Sequence, residues 1–600
     1  MQIKQNFLFK LGQLGQCKSI IGAPLLLFTF LTVIMTWPLV VKMPHSVVGH
    51  VGDNYYFVWL VDWFQDALFK YHQSPFFAPQ LNFPEGFSLA YNDLTPAMVL
   101  QALPFSLIFG PVFGYNMAIF LSFVFSAFGA YWMIYRVTGK KIGGIIAGII
   151  FAFVPYRMNH LLGHFNLMGT QWLPFYFLYL YELLKAEKIS WKTILKPAFF
   201  LILIAFTTQY YLIMTFFVSG AFIFFYVCLN CSKSLISHLS ENSTSGKPIK
   251  SVPLHDPSKI SFLVKKVMLM GLVSFPLLCI SMFPYLKLLL KSELPQHSFM
   301  DTSFWSASPT DFIFPSSLHF IWGDWIKKYI NTSYCVESTL YVGMVALILA
   351  LIAFFRRRGF PTEQTMLIRL FFYTSMITVI LAMGTNVHWL GKPVYITKYP
   401  VFLPGYFLFK YMPFYSNMRV WMRYGIFVNM FIAVLAGMGV SRLMNSLKKK
   451  SWKVMLGIAL ILLILMDFYH IGLSFSTVEG RRVDYWLARQ KKTGAVADFP
   501  LINLKKPENV YYTCIHQKPY IGMMGLAYLS PQMRRIEPFL QSFPDEKSIQ
   551  LLRELGVRYF IVDGRYYKDM PLMIATLKQM GVRLKKEIDS FYVFYDTFKK

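Results

Sequence analysis

The chain has 600 residues, of which 56% are hydrophobic and only 14% charged, and it carries a net charge of +29. With a mean hydropathy of +0.46, this composition excludes an ordinary soluble enzyme, in which about a quarter of residues are charged. The basic residues fall mainly in short loops between apolar runs and no basic–aromatic motif accompanies them, so the excess charge points to anionic lipid and the positive-inside rule, with no nucleic acid as partner.

Residues 1–19 carry Lys4, Lys10 and Lys18 and no acid, and the first apolar run covers about 20–41. It is long for a signal-peptide core and no small-residue cleavage site follows, so it reads as a retained span with the N-terminus inside. Residues 42–96 then form a first large outer loop. Its first part, HVGDNYYFVWLVDWFQD (50–66), sets Asp53, Asp62 and Asp66 among aromatic residues where the chain leaves the bilayer. Carboxylates so close to hydrocarbon are costly and are usually retained for a task. Asp62 and Asp66 are four apart on one helix face, and Asp53 lies in a Gly-Asp-Asn turn where it is placed to cap that helix. The second part, with Glu85 and Asp93, holds Pro75, Pro79, Pro84 and Pro96, which exclude a long helix there.

The segment 97–112 is short and broken by Pro104, Gly110 and Pro111, which reads as a re-entrant segment or short hairpin. Spans follow at about 115–135, 142–156 and 167–185; residues 195–229 read as a hairpin turning at Thr207-Thr208-Gln209. The polar stretch 230–266 is an inner loop. Further spans are expected at about 267–290, 338–355, 366–385, 421–441 and 453–470, with large outer loops at 291–337 and 386–418. This gives about eleven spans plus one short segment. The basic clusters at 136–141, 185–192, 356–358 and 442–453 then all fall on one side. Residues 1–470 thus form a polytopic α-helical membrane domain. Residues 471–600, richer in charge, form an extracytoplasmic α/β domain: DYWLARQ, KSIQLLRELG and PLMIATLKQMG have helical period, and AVADFPL, VRYFIVDG and SFYVFYDTF read as strands. It shows no phosphate-binding Gly-rich loop and no metal-ligand spacing, so support or substrate recognition is its expected role. Six cysteines are scattered, and Cys228-x-x-Cys231 has neither a second pair nor a nearby His, so a metal or redox site there is not expected.

Four groups of residues have chemical potential. A hydroxyl acceptor needs a base, and a carboxylate partly buried beside a membrane is raised towards that use; Asp53 is the first choice, Asp62 and Asp93 the second. Arg157, His160 and His164 lie in the outer loop YRMNHLLGHFN; His160 and His164, at i and i+4, suit a phosphate or sugar contact, a divalent metal, or plain interface anchoring. Arg419 and Arg423, in NMRVWMR, run against the positive-inside bias and are placed to hold a phosphate or diphosphate, with Lys398 and Lys410 in the same loop; headgroup snorkelling is the alternative. Trp59, Trp63, Trp305, Trp322, Trp325, Trp389 and Trp421 are placed to stack on sugars or to anchor the interface.

The first span, the acidic start of a large first outer loop and the terminal outer domain resemble the GT-C superfamily of integral membrane glycosyltransferases, which includes protein O-mannosyltransferases and the lipid A aminoarabinose transferase. More closely, HVGDNYYFVWLVDWFQDALF, LNFPEGFSLAYNDLTP, VTGKKIGGIIAGIIFAFVPYRMNHLLGHFN, MRVWMRYGIFVNMFIAVLAGMGVSRL and LLRELGVRYFIVDG resemble a large group of bacterial membrane proteins. The resemblance implies a polyprenyl-phosphate sugar donor, a glycan, lipid or protein acceptor, a bacterial plasma-membrane location, and the first-loop acid, Asp53, as general base. Gly-Asp-Asn stands where the mannosyltransferase motif has paired Asp-Glu. A transporter or flippase for a glycolipid precursor and a non-catalytic protein of the same fold are the alternatives. No cofactor is required by the sequence, a divalent metal remaining open.

Overall fold

The computed structural model describes residues 18–245, 257–294, 296–330, 336–412, 415–469, 472–491, 493–525 and 529–597. Lys4, Lys10, Cys17, Cys335 and the centre of the expected inner loop, 246–256, lie outside these residues.

Every apolar segment read from the sequence is a helix. In chain order these are α1 (Ala23–Met35), α2 (Asp53–Gln65) in the first loop, α3 (Pro96–Phe109), α4 (Pro111–Thr138), α5 (Lys141–Phe153) and α6 (Pro155–His160). They continue with α7 (Trp172–Lys185), α8 (Trp191–Thr207), α9 (Gln209–Ser245), α10 (Pro257–Leu290), α11 (Met344–Phe355), α12 (Thr362–Ala382), α13 (Gly425–Ser446) and α14 (Lys450–Phe468). Among the described residues, seven helical stretches are long and apolar enough to cross a membrane, and α1, α3 and α11 belong to shorter apolar helices. The chain is an integral membrane protein.

Segment 97–112, expected as a re-entrant segment or short hairpin, is a helix, α3, folded back on α4, and two other expectations are corrected. Gly110 takes a left-handed conformation (φ 87°) between the two prolines, and a Cβ on Gly114 would fall 2.8 Å from Ser106 Cβ, so the close approach of the two helices depends on a missing side chain. The stretch 230–266 is not a plain loop, because α9 runs to Ser245 and α10 begins at Pro257. Asp53 does not cap α2 but is its first residue, after Gly52. The capping work falls to Asn54, whose side chain accepts from the N–H of Gly52 (3.1 Å) and of Tyr55 (3.0 Å) and donates to the carbonyls of Val48 (3.0 Å) and His50 (2.9 Å).

Helix α13 is buried on all sides from Gly425 to Ser441, which is what an apolar helix with no polar stripe requires. It packs against α5 through glycine: a Cβ on Gly437 would lie 2.6 Å from the Gly143 carbonyl oxygen. The basic clusters meet at one end of the bundle, where Arg136 pairs with Glu182 (2.6 Å), Lys185 with Glu363 (2.5 Å), and Arg442 donates to the Gly359 carbonyl (2.7 Å).

The C-terminal region is α/β. Strands β1 (Ala495–Phe499), β2 (Val557–Asp563), β3 (Val582–Ile588) and β4 (Phe591–Asp596) form a sheet of order β3-β4-β2-β1, with β1 and β2 parallel and the other pairs antiparallel. Strand β3 was not legible in the sequence: its exposed positions are mostly charged (VRLKKEI), so no apolar alternation marks it. This region is tied to the loop 42–96 by main-chain bonds. Residues 46–48 pair with 475–477, Asn82 N–H donates to Gly522 O (2.9 Å), and Phe83 N–H to Tyr520 O (3.1 Å). The loop 42–96 therefore lies between the helical bundle and the C-terminal α/β region, and α2 within it is almost wholly buried.

Candidate functional site

A cavity of about 750 Å³ lies at the end of the bundle opposite the basic clusters. Its polar wall is assembled from distant parts of the chain. Asp53 and Tyr56 come from α2, Asp93 from the loop before α3, His164 from the loop after α6, Glu337 from the approach to α11, and Arg419 and Arg423 from the approach to α13. Ile213 of α9 and Met282 of α10 give it an apolar wall, and Pro507 and Met524 of the C-terminal domain close one side.

The local structure explains how each acid is presented. Asp53 opens α2 in the turn that Asn54 braces, and its side chain is exposed. The loop carrying Asp93 is held from three directions: Tyr91 Oη donates to Glu293 (2.6 Å), Asn92 to the Met524 carbonyl (3.1 Å), and Leu94 N–H to Tyr285 Oη (3.4 Å). Burial pushes the Asp93 carboxyl above the usual carboxylate range, and the nearby charges of Asp53 and Glu337 push the same way against Arg423 and His164. A carboxyl whose folded-state pKa is raised favours the fold below its ordinary pKa and loses that advantage as pH rises through the raised value. Asp93→Asn is therefore expected to raise the thermal midpoint at pH 7, with the gain disappearing on acidification below the ordinary carboxylate range. Thermal melts of the two proteins across pH check this.

Glu337 organises the far wall. Arg423 donates to Glu337 Oε1 from Nη2 (2.7 Å) and Nε (3.1 Å), with Oε2 at 3.4 Å, and its guanidinium lies over the Tyr210 ring (4.4 Å). Burial, the largest single influence, would raise the Glu337 carboxyl, but the charges of Arg423, His160 and His164 and the Arg423 hydrogen bonds together exceed it and hold the group down at about 2. His160 is fully buried; its Nε2 faces Glu337 Oε2 at 3.5 Å, too far for a good hydrogen bond, and its Nδ1 is 2.8 Å from His164 Nδ1. With one proton on each ring and the His160 proton towards the carboxylate, His160 Nδ1 accepts from His164. That leaves His164 Nε2 as an acceptor.

Arg419 differs from Arg423. It is partly exposed, its guanidinium stands 5.3 Å from the Trp305 ring centroid, and no carboxylate lies within ion-pair distance among the described residues. Beside it, His297 is bonded to Asp301 (2.9 Å), and burial together with the Arg419 charge keeps its imidazole below its ordinary pKa.

The remaining expected residues are elsewhere. Asp62 faces a separate cleft of about 230 Å³ with Asp66, Thr513 and Cys514, because nine residues along α2 carry it away from Asp53. Arg157 is fully buried, donating to the Ala152 carbonyl (3.0 Å), Ser122 Oγ (2.9 Å) and the Met168 carbonyl (3.3 Å) with its face on Phe123; it braces the chain around α6 and does not line the cavity. His160 is behind His164, one step removed from the cavity. Lys398 and Lys410 do not line the cavity. Of the tryptophans, Trp305 lines it; Trp59 and Trp63 are buried and stacked, Trp421 is buried, and Trp322, Trp325 and Trp389 are exposed. Glu337 was missed in the sequence. Its signal was a lone carboxylate immediately before an apolar run.

Donor atoms of His160, His164 and Glu337 lie within 4.8 Å of one another, close enough in space for one cation to reach all three among the described residues. Their present bonding does not suit a resident metal. The two histidine Nδ1 atoms share a proton at 2.8 Å, and Glu337 is already neutralised by a guanidinium that would repel a second cation. Chelation is accordingly expected to leave the protein's thermal midpoint unchanged, whereas a drop reversed by a divalent metal would show that Glu337 exchanges Arg423 for an ion.

Residues 25–241 match a family described as a domain of unknown function, DUF6311. No curated protein matches. Among solved structures, the chain is similar to the oligosaccharyltransferase of Archaeoglobus fulgidus in complex with Zn and sulfate, at 12% identity and a TM-score of 0.44, covering 90% of this chain and 68% of that one. It is also similar to the Archaeoglobus fulgidus oligosaccharyltransferase AglB in complex with an inhibitory peptide and a dolichol-phosphate (12%, TM-score 0.39, 96% and 74%). A third similar structure is ArnT of Cupriavidus metallidurans bound to undecaprenyl phosphate (11%, TM-score 0.42, 95% and 97%). Likeness of this degree identifies neither a donor nor an acceptor for this chain.

Proposed function

We propose that this protein is a membrane glycosyltransferase that moves a sugar from a lipid-phosphate-linked donor to an acceptor at the outer face. The observation that carries the proposal is the composition of one cavity. Carboxylates and an accessible guanidinium share it with an apolar wall from α9 and α10, two helices whose other faces are exposed, as at Phe216 and Phe283. Such a wall suits a lipid chain, and the polar side suits a phosphate and a sugar. With the basic clusters at the opposite end, the positive-inside rule supports an outer position for the cavity.

In this proposal the acceptor hydroxyl attacks the anomeric carbon in one displacement with inversion. The new carbon–oxygen bond forms as the bond to the phosphate oxygen breaks, and the lipid phosphate leaves with the electron pair. Asp53 receives the hydroxyl proton, and Arg419 stabilises the charge that develops on the phosphate. Asp62 and Arg157 have no part in it. Asp93, half-buried at the cavity wall, shapes the field around Asp53.

The test is lipid and glycan profiling of cells with and without the chain. Loss of one residue from a glycan with accumulation of a lipid-linked monosaccharide is the expected result. Accumulation of a complete lipid-linked glycan, with Asp53→Asn behaving as wild type, would establish a transporter instead.

A further inference from the structure

We infer that the donor lipid carries a single phosphate group, and that Arg419 is the guanidinium that meets it; this rests on the lipid-linked donor proposed above. The sequence offered two arginines four apart, enough for a diphosphate. The structure removes one of them from service. Arg423 is bound through three contacts to Glu337, both side chains are less than a tenth exposed, and the pair is electrically neutral towards anything entering the cavity. Asp53 and Asp93 add negative charge to the same wall. Arg419 is then the lining cation without a carboxylate partner among the described residues, and His297 beside it is already bonded to Asp301.

A sugar linked to a lipid through one phosphate brings one negative charge, which Arg419 can match with a bidentate contact while it remains on Trp305. A diphosphate linkage brings two. The second would have to sit among Asp53, Asp93 and a neutralised Arg423, in a partly enclosed cavity where like charges are poorly screened. The number of phosphates is thus set through Glu337, which neutralises the second arginine.

The experiment measures binding of polyprenyl phosphate and polyprenyl diphosphate of equal chain length to the full-length protein. The protein is held in phosphatidylglycerol nanodiscs, so that ordinary headgroups are present throughout, and inorganic phosphate and pyrophosphate serve as soluble controls. The monophosphate lipid is expected to bind at least about tenfold more tightly than the diphosphate, corresponding to about 1.4 kcal/mol. Arg419→Gln should lose about tenfold or more for the monophosphate with its unliganded thermal midpoint unchanged. Equal or tighter binding of the diphosphate lipid overturns the inference and leaves the glycosyltransferase proposal standing. Binding of the soluble anions as tightly as the lipids also overturns it, because the site would then read charge alone. If neither lipid binds, the inference falls together with the proposed donor.

Discussion

Glu337→Leu is expected to be the most destabilising single change in the candidate site, costing about 3–5 kcal/mol, the usual penalty for orphaning one member of a buried ion pair. The pair has little access to water: Arg423 is 7% exposed and Glu337 4%, so solvent cannot take over the lost carboxylate. The guanidinium would be left over Tyr210 with its fork unfilled, and His160 would lose the acceptor that Nε2 faces. The double variant Glu337→Leu/Arg423→Met removes both charges and should recover most of the loss, since apolar replacements of whole buried pairs are often neutral. The check is the thermal midpoint of the wild type, both single variants and the double variant. A double variant no more stable than Glu337→Leu would show that the pair's electrostatics are not what holds this wall. Sign and range in pH also follow. The Glu337 carboxyl is held at about 2, below its ordinary 4.5, so its contribution is present above the ordinary value and is lost only as pH falls through the depressed one.

Asp53→Asn is expected to act oppositely, leaving stability nearly unchanged while lowering transfer by about 10²–10⁴-fold, the range for loss of a positioned general base. The side chain is exposed and makes no hydrogen bond or ion pair with a described residue, and surface changes of this kind stay within about 0.5 kcal/mol. The turn that presents it is braced by Asn54, so the substitution leaves the backbone in place. Transfer measured with membranes from cells making either form, alongside a thermal melt, tests both parts. A wild-type rate in the variant would remove Asp53 from the base role, and a large fall in thermal midpoint would mean that its carboxylate is structural.

Much of this molecule was decided by local chemistry. Runs of apolar residues interrupted by Gly, Pro and basic clusters specify helices and their ends, because an unpaired backbone group in hydrocarbon is too costly for any other choice. The break at Thr208 was readable for that reason, and the strand VRYFIVDG was readable as a short apolar run closed by a turn. Asp53 and Arg419 were also visible, since a charge beside an apolar run stands out against its surroundings. What the sequence by itself did not determine was which charges face one another. Glu337 and Arg423 are 86 residues apart, and only the packing of α13 at the centre of the bundle brings them together and cancels them. The same packing sends Arg157 to main-chain carbonyls and sets His160 behind His164. Helical pitch, acting over nine residues of α2, carries Asp62 to a different cleft. Residue type and local pattern fixed the candidates, and burial in a medium where charges must be paired determined which of them remained available to a ligand.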